Sequence, residues 1–145
     1  MKILIINGPN LNMLGIREPG IYGVKTLEDL KNMVDNYSLK NGIKTHMVQF
    51  NSEGEIIDCI HKAGLEYDGI IINPAAYTHY SYAIHDAIKC ISIPVVELHI
   101  SNIHAREGFR HSSVIVPACT GQISGFGFHG YLMALEYFKH KEPEL

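Results

Sequence analysis

Apolar positions along the chain follow two rhythms that take turns. Residues 2–7 form an aliphatic run rich in isoleucine, the pattern of a strand covered on both faces. Thr26-Leu-Glu-Asp29 reads as a capping box with Asp in place of Glu. Behind it Leu27, Leu30, Val34 and Tyr37 share one helical face, and Gly42 supplies the stop. Residues 43–50 predict a second strand, and Ser52 can cap a helix that turns Ile56, Ile57, Ile60 and Ala63 inward. A third strand is expected at 69–72, ending at Asn73-Pro74. A helix then carries Tyr80, Ala83, Ile84, Ala87 and Ile88, with His79 at its opening. Residues 94–98 predict a fourth strand and 113–116 a short fifth. Phe128, Tyr131, Leu132, Leu135 and Phe138 mark a closing helix before the polar tail 139–145.

That alternation of strands and helices implies an α/β domain built on a parallel sheet, with helices on both faces. With 145 residues and neither linker nor repeat, one domain over residues 1–145 suffices. In such sheets ligands bind outside the carboxyl ends of the strands, where strand order reverses about the first strand. The polar, glycine-bearing segments 7–23, 73–79 and 99–111 all follow predicted strands. The first is longer than the usual βα connection of about two to six residues and is expected to be a binding loop or lid. Gly125, Gly127 and Gly130 are expected to permit close packing at the start of the last helix.

Composition narrows the partners. Charged residues are 19% of the chain and the formal net charge is -3, so no basic field exists to collect a nucleic acid backbone. The longest purely aliphatic run, Ile3–Ile6, is far below the roughly 20 residues a membrane helix needs, and it is too short for a signal-peptide core. Cys59, Cys90 and Cys119 are odd in number and form no CxxC pair. Buried free thiols in a reducing, cytoplasmic setting are expected.

Candidate chemistry concentrates in the three loops. Against nine lysines the chain has three arginines, Arg17, Arg106 and Arg110, and all three fall there. Guanidinium forks suit an anionic, oxygen-rich substrate. Tyr22, between Gly20 and Gly23, is free to project from its loop. A phenol ordinarily ionises near pH 10, and a neighbouring guanidinium favours the phenolate, which would make Tyr22 a base. Glu97 and His99 lie two apart in a strand and therefore share a face. A carboxylate there fixes the imidazole tautomer a general acid requires. Asn73 before Pro74 reads equally as a turn residue or a ligand contact. The nine histidines show no HxxxH or zinc-type spacing, so no metal is expected; the segment 7–12 after the first strand is not GxGxxG, and no P-loop is present.

Three segments carry a resemblance to a known family. They are residues 6–23 (INGPNLNMLGIREPGIYG), 73–81 (NPAAYTHYS) and 97–110 (ELHISNIHAREGFR). In this order they resemble the motifs of type II 3-dehydroquinate dehydratases, and the likeness runs from about residue 3 to about residue 138. The resemblance implies a flavodoxin-like three-layer αβα sandwich with a five-stranded parallel sheet. It implies anti elimination of water from 3-dehydroquinate to 3-dehydroshikimate, through an enolate and without cofactor, in the shikimate pathway of aromatic amino acid biosynthesis. By the same resemblance Tyr22 is the base, Arg17 acts on its phenol, and His99 is the acid, oriented by Glu97. Asn10 holds a water at the enolate oxygen. Asn73 and the backbone amides of Ile100 and Ser101 take the substrate carboxylate. His79, Arg110 and Asp86 hold ring hydroxyls, Asp86 reaching in from a neighbouring subunit, and Arg106 plays a supporting part. The family assembles as dodecamers built from trimers. Tyr80 and Tyr82 are bulkier than that pattern leads one to expect. Two alternatives remain at this level: a non-catalytic flavodoxin-like module binding a flavin or nucleotide, and a Schiff-base route to the same product.

Overall fold

The computed structural model describes residues 1–141. Five strands, β1 (Lys2–Asn7), β2 (Lys44–Gln49), β3 (Gly69–Asn73), β4 (Val95–His99) and β5 (Gly121–Ser124), form one all-parallel sheet in the order β2-β1-β3-β4-β5. The helices are α1 (Pro19–Tyr22), α2 (Leu27–Asn41), α3 (Glu53–Glu66), α4 (Tyr82–Lys89) and α5 (His129–His140). Strand side chains alternate between faces. Ile3 and Ile5 of β1, Ile71 of β3 and Leu98 of β4 pack with Leu30 and Val34 of α2 and with Tyr131, Leu135 and Phe138 of α5. Leu4, Ile6, Ile70, Ile72 and Val95 pack on the opposite face with Ile56 and Ile60 of α3 and Ile84 and Ile88 of α4. The result is a flavodoxin-like three-layer sandwich, in agreement with the sequence.

Local signals act as expected at the second helix. The Thr26 side chain accepts from the Asp29 amide at 3.2 Å while the Asp29 carboxylate accepts from the Thr26 amide at 2.8 Å. The left-handed Gly42 (φ 66°) ends the helix.

Other expectations need correction. Residues 113–116 do not form the fifth strand. The Ser113 hydroxyl accepts from the amides of Ile115 and Val116, a turn that withdraws them from any ladder, and Val116–Ala118 continue as a 3₁₀ turn. The edge strand is β5 instead, paired with β4 from Val96↔Gly121 to His99↔Ser124. Its four residues carry a single bulky aliphatic side chain, Ile123, too few to show a period.

The segment after β3 is also divided differently. A 3₁₀ turn covers Ala75–His79, so His79 closes that turn rather than opening a helix. Helix α4 starts only after Ser81, whose hydroxyl accepts from the Ile84 amide at 3.1 Å. Tyr80 and Ala83 consequently leave the inward stripe and are exposed, while Ile84, Ala87 and Ile88 stay in it.

The thiols are less enclosed than expected: Cys90 is exposed, and Cys59 and Cys119 are half-buried, all three unpaired. Gly130 does permit close packing, against Leu98 and Ile123. Gly125 and Gly127 chiefly supply left-handed turns (φ 95° and 58°), with Gly125 also close to Asn102. The last helix ends at His140, and the tail beyond residue 141 lies outside the described residues. Among the described residues no helix is long and apolar enough to cross a membrane.

Candidate active site

Strand order reverses between β1 and β3, and there the two chains separate to leave a crevice. Their exits are held together by Gly8, whose amide donates to the Asn73 carbonyl at 2.7 Å. A Cβ on Gly8 would lie 2.9 Å from the Pro74 carbonyl carbon and oxygen, so only glycine permits this approach. Beyond it the chain turns through Asn10 in the left-handed region (φ 68°), its amide donating to Asn51 Oδ1 at 3.1 Å. Leu11 and Leu14 are buried and anchor the long first loop to the body. Among the described residues, Glu18 (φ 41°) and Ala75 (φ 51°) are the other two non-glycine residues with positive φ. All three lie in or beside the cavity, where such backbone strain commonly gathers.

One cavity collects most of the expected residues. Asn10, Arg17 and Tyr22 line it from the loop after β1, and Asn73 and His79 from the segment after β3. His99, Ile100, Ser101, Arg106 and Arg110 line it from the end of β4 onward. Asp86 is not among them. It lies exposed on α4, where its carboxylate meets His85 Nδ1 at 3.0 Å.

Tyr22 does not project freely, as its flanking glycines suggest. It ends the single turn of α1 and, half-buried, packs against the core cluster on the α2 and α5 face of the sheet. Its hydroxyl oxygen accepts from Arg106 Nη1 at 2.5 Å. Arg106, expected in a supporting part, is thus the guanidinium on the phenol oxygen, and Arg17 lies with Cζ 5.7 Å from the Tyr22 ring centre. The two arginines are joined through Glu18, whose carboxylate stands 3.4 Å from Arg17 Nε and 3.7 Å from Arg106 Nη2. Arg106 also approaches Ser101 Oγ at 3.5 Å.

The second chemical group is buried more deeply. Glu97 is fully enclosed, and its Oε1 accepts from His99 Nε2 at 2.6 Å, from Gln122 Nε2 at 3.2 Å and from the Thr78 hydroxyl. Its Oε2 accepts from the Ser113 hydroxyl at 2.9 Å. Burial alone would push this carboxyl up. The hydrogen bond and charge of His99, with the Thr78 and Ser113 hydroxyls, outweigh burial and hold it below the ordinary carboxylate value. An ionised Glu97 can only accept, so His99 Nε2 carries the proton on that side, and Nδ1 has no partner among the described residues.

His79 Nδ1 donates to the Ser112 carbonyl at 2.8 Å. Burial, together with the charges of His99 and Arg110, pushes His79 down despite that bond and the opposing charge of Glu97. Its neutral form therefore presents Nε2 as an acceptor. Arg110 is held by Glu107 at 2.8 Å and stacks on Phe109.

Sequence reasoning overlooked Thr78, Ser113 and Gln122, which complete the shell of Glu97, and Glu18 between the arginines. It placed Tyr131 only as a core residue, and Asn7 only at the end of its strand. A buried strand ending in a charged residue signals that polar partners must exist. Nothing local says which they are.

A flavodoxin-like α/β domain is thereby equipped, at its switch point, for proton transfer on an anionic, oxygen-rich ligand. The family described as Dehydroquinase class II matches residues 1–139. A curated 3-dehydroquinate dehydratase of Caldicellulosiruptor bescii is 61% identical over 139 residues, covering 95% of this chain and 96% of that protein. The crystal structure of type II dehydroquinase from Butyrivibrio crossotus superposes with a TM-score of 0.94 at 53% identity, covering 97% of this chain and 98% of that one. The type II dehydroquinase structure from Propionibacterium acnes gives 0.94 at 44% identity, over 97% of each chain. The chain belongs to the class II dehydroquinase family.

Proposed function

We propose that this chain is a 3-dehydroquinate dehydratase that removes water by anti elimination through an enolate, acting as one catalytic domain. The observation that carries the reading is the pairing at one cavity of two proton-transfer groups, Tyr22 with Arg106 on its oxygen and His99 backed by Glu97. Tyr22, its oxygen held by Arg106 and its ring beside Arg17, is the base that takes the proton from the carbon next to the ketone. The electron pair moves onto the carbonyl oxygen, where a water held by Asn10 meets the developing charge. Collapse of the enolate expels the hydroxyl, which leaves as water with a proton from His99.

Asn73 and the amides of Ile100 and Ser101 take the carboxylate, and His79 and Arg110 hold ring hydroxyls. Asp86, exposed and outside the cavity of its own protomer, serves the site of a neighbouring copy in a dodecamer built from trimers. Arg17, far more exposed than Arg106, closes the mouth over bound substrate and excludes water. The residues need no cofactor for these steps, and the setting is the cytoplasm. Family membership argues against the flavin- or nucleotide-binding alternative.

The test is conversion of 3-dehydroquinate, followed by enone absorbance in the ultraviolet. Tyr22→Phe and His99→Ala should each lose at least about 100-fold in kcat while still binding product-like ligands. Inactive unmutated enzyme sinks the reading, and a near-normal rate in either variant reassigns that residue. Inactivation by borohydride in the presence of substrate would restore the Schiff-base route.

A further inference from the structure

Asn7 and Asn73 end the adjacent strands β1 and β3 in direct register, and both side chains are buried on the α5 face of the sheet. Between them reaches Tyr131, near the start of α5, whose side chain is fully enclosed. Its hydroxyl donates to Asn7 Oδ1 at 2.7 Å and accepts from Asn73 Nδ2 at 3.3 Å. The other end of the Asn73 amide accepts from the Ala75 amide at 3.1 Å, in the strained turn that leads away from β3. Nothing in the packing of the ring requires the hydroxyl. Phenylalanine would fill the same space without burying a polar group.

We propose that Tyr131 is a positioning residue for substrate binding, its hydroxyl fixing which end of the Asn73 amide faces the cavity. The oxygen and nitrogen ends of an asparagine amide occupy nearly the same volume, so shape alone does not orient it. Two polar constraints do. The Tyr131 proton is committed to Asn7, so its oxygen can only accept and demands an N–H from Asn73. The Ala75 amide demands the Asn73 oxygen. Both point the same way, and the second N–H of Asn73 is left for a ligand acceptor in the cavity that this residue lines. Complete burial pushes the Tyr131 phenol far up, so it stays a neutral donor across the working range. The arrangement has one loose end: Asn7 Nδ2 is a buried side-chain polar atom with no partner among the described residues. A buried donor left unpaired is costly. Its retention fits a role in which Asn7 is kept for its oxygen.

This inference rests on the reading that Asn73 takes the substrate carboxylate, and the test separates the two. KM and kcat for 3-dehydroquinate are measured on the assembled enzyme for Tyr131→Phe, Asn73→Ala and the double variant, with thermal unfolding of each. Tyr131→Phe should raise KM about tenfold, the worth of a hydrogen bond to a charged group. Its kcat should stay within about threefold, and its pH profile should keep the unmutated shape. Asn73→Ala should raise KM at least as much, and adding Tyr131→Phe to it should change KM no further. A merely structural tyrosine would lower the melting temperature and the active fraction with KM unmoved. That result, or additive effects in the double variant, overturns the positioning role. An unchanged KM in Asn73→Ala overturns the carboxylate reading and the inference together. Should Tyr131→Phe not fold, Asn7→Leu, which frees the same hydroxyl proton to turn toward Asn73, must raise KM likewise or the proposal fails.

Discussion

Arg106 Nη1 lies 2.5 Å from the hydroxyl oxygen of Tyr22, across 84 residues of chain. The arginine side chain is only 9% exposed, against 39% for Arg17, so the contact sits where water competes least. A guanidinium offers donors in a fixed fork and is weakly hydrated, which suits it to a half-dry contact with the tyrosine oxygen. Glu18 limits the repulsion between the two arginines by standing between them.

Arg106→Lys keeps the charge and loses the fork. Its kcat should fall about 10²–10³-fold, the usual loss when one preorganised donor to a charged atom is removed. In a Tyr22→Phe background the same substitution should cost little further, because its target is gone. Steady-state kinetics of the four enzymes give the coupling, and independent losses would detach Arg106 from the phenol.

Both oxygens of Glu97 accept hydrogen bonds, three of them converging on Oε1. Glu97→Gln places an N–H where donors already converge, so either His99 or a hydroxyl is left unmatched. A stability loss of about 1–3 kcal/mol is expected, with kcat lower by at least about 100-fold as the imidazole loses its fixed tautomer. Denaturant unfolding and turnover, measured on the same preparations, check both.

The same carboxyl sets an acid limit. It is held below its ordinary value of 4.5 in the folded chain, so its contribution to stability is complete above that pH. The contribution is lost as pH falls through the lower folded value. His79, held down from 6.5, adds stability present above that pH and lost as acid forces a proton onto it. Melting temperature should therefore decline in two stages, one below about pH 6.5 and one below about 4.5. In Glu97→Gln the second stage should shrink. An unchanged acid fall in that variant would assign it elsewhere.

Gly8→Ala tests the join between the two strand exits. The new methyl would press on backbone atoms of Asn73 and Pro74, which cannot swing aside. Overpacking of this kind costs about 1–3 kcal/mol, a drop of several degrees in melting temperature for a chain of this size. KM should rise as well, since Asn10 and Asn73 both hang on this contact. A variant with unmoved melting temperature and KM would show that the exits can part freely.

Sequence alone determined the alternation of strands and helices, the parallel sheet, and the loops and most of the residues that line the cavity. It could do so because hydrophobic periodicity, capping and strand-end polarity are local, written within a few residues of where they act. The fifth strand escaped because four edge residues are too few to show a period, while a hydroxyl turn at Ser113 imitated a strand nearby. Only tertiary structure decided that Arg106 rather than Arg17 meets the phenol oxygen, that Thr78, Ser113 and Gln122 surround Glu97, and that Tyr131 reaches Asn7 across 124 residues. Those partners are set by strand order, crossover and helix placement. Two side chains far apart in the chain meet only once the whole sheet has brought their elements together.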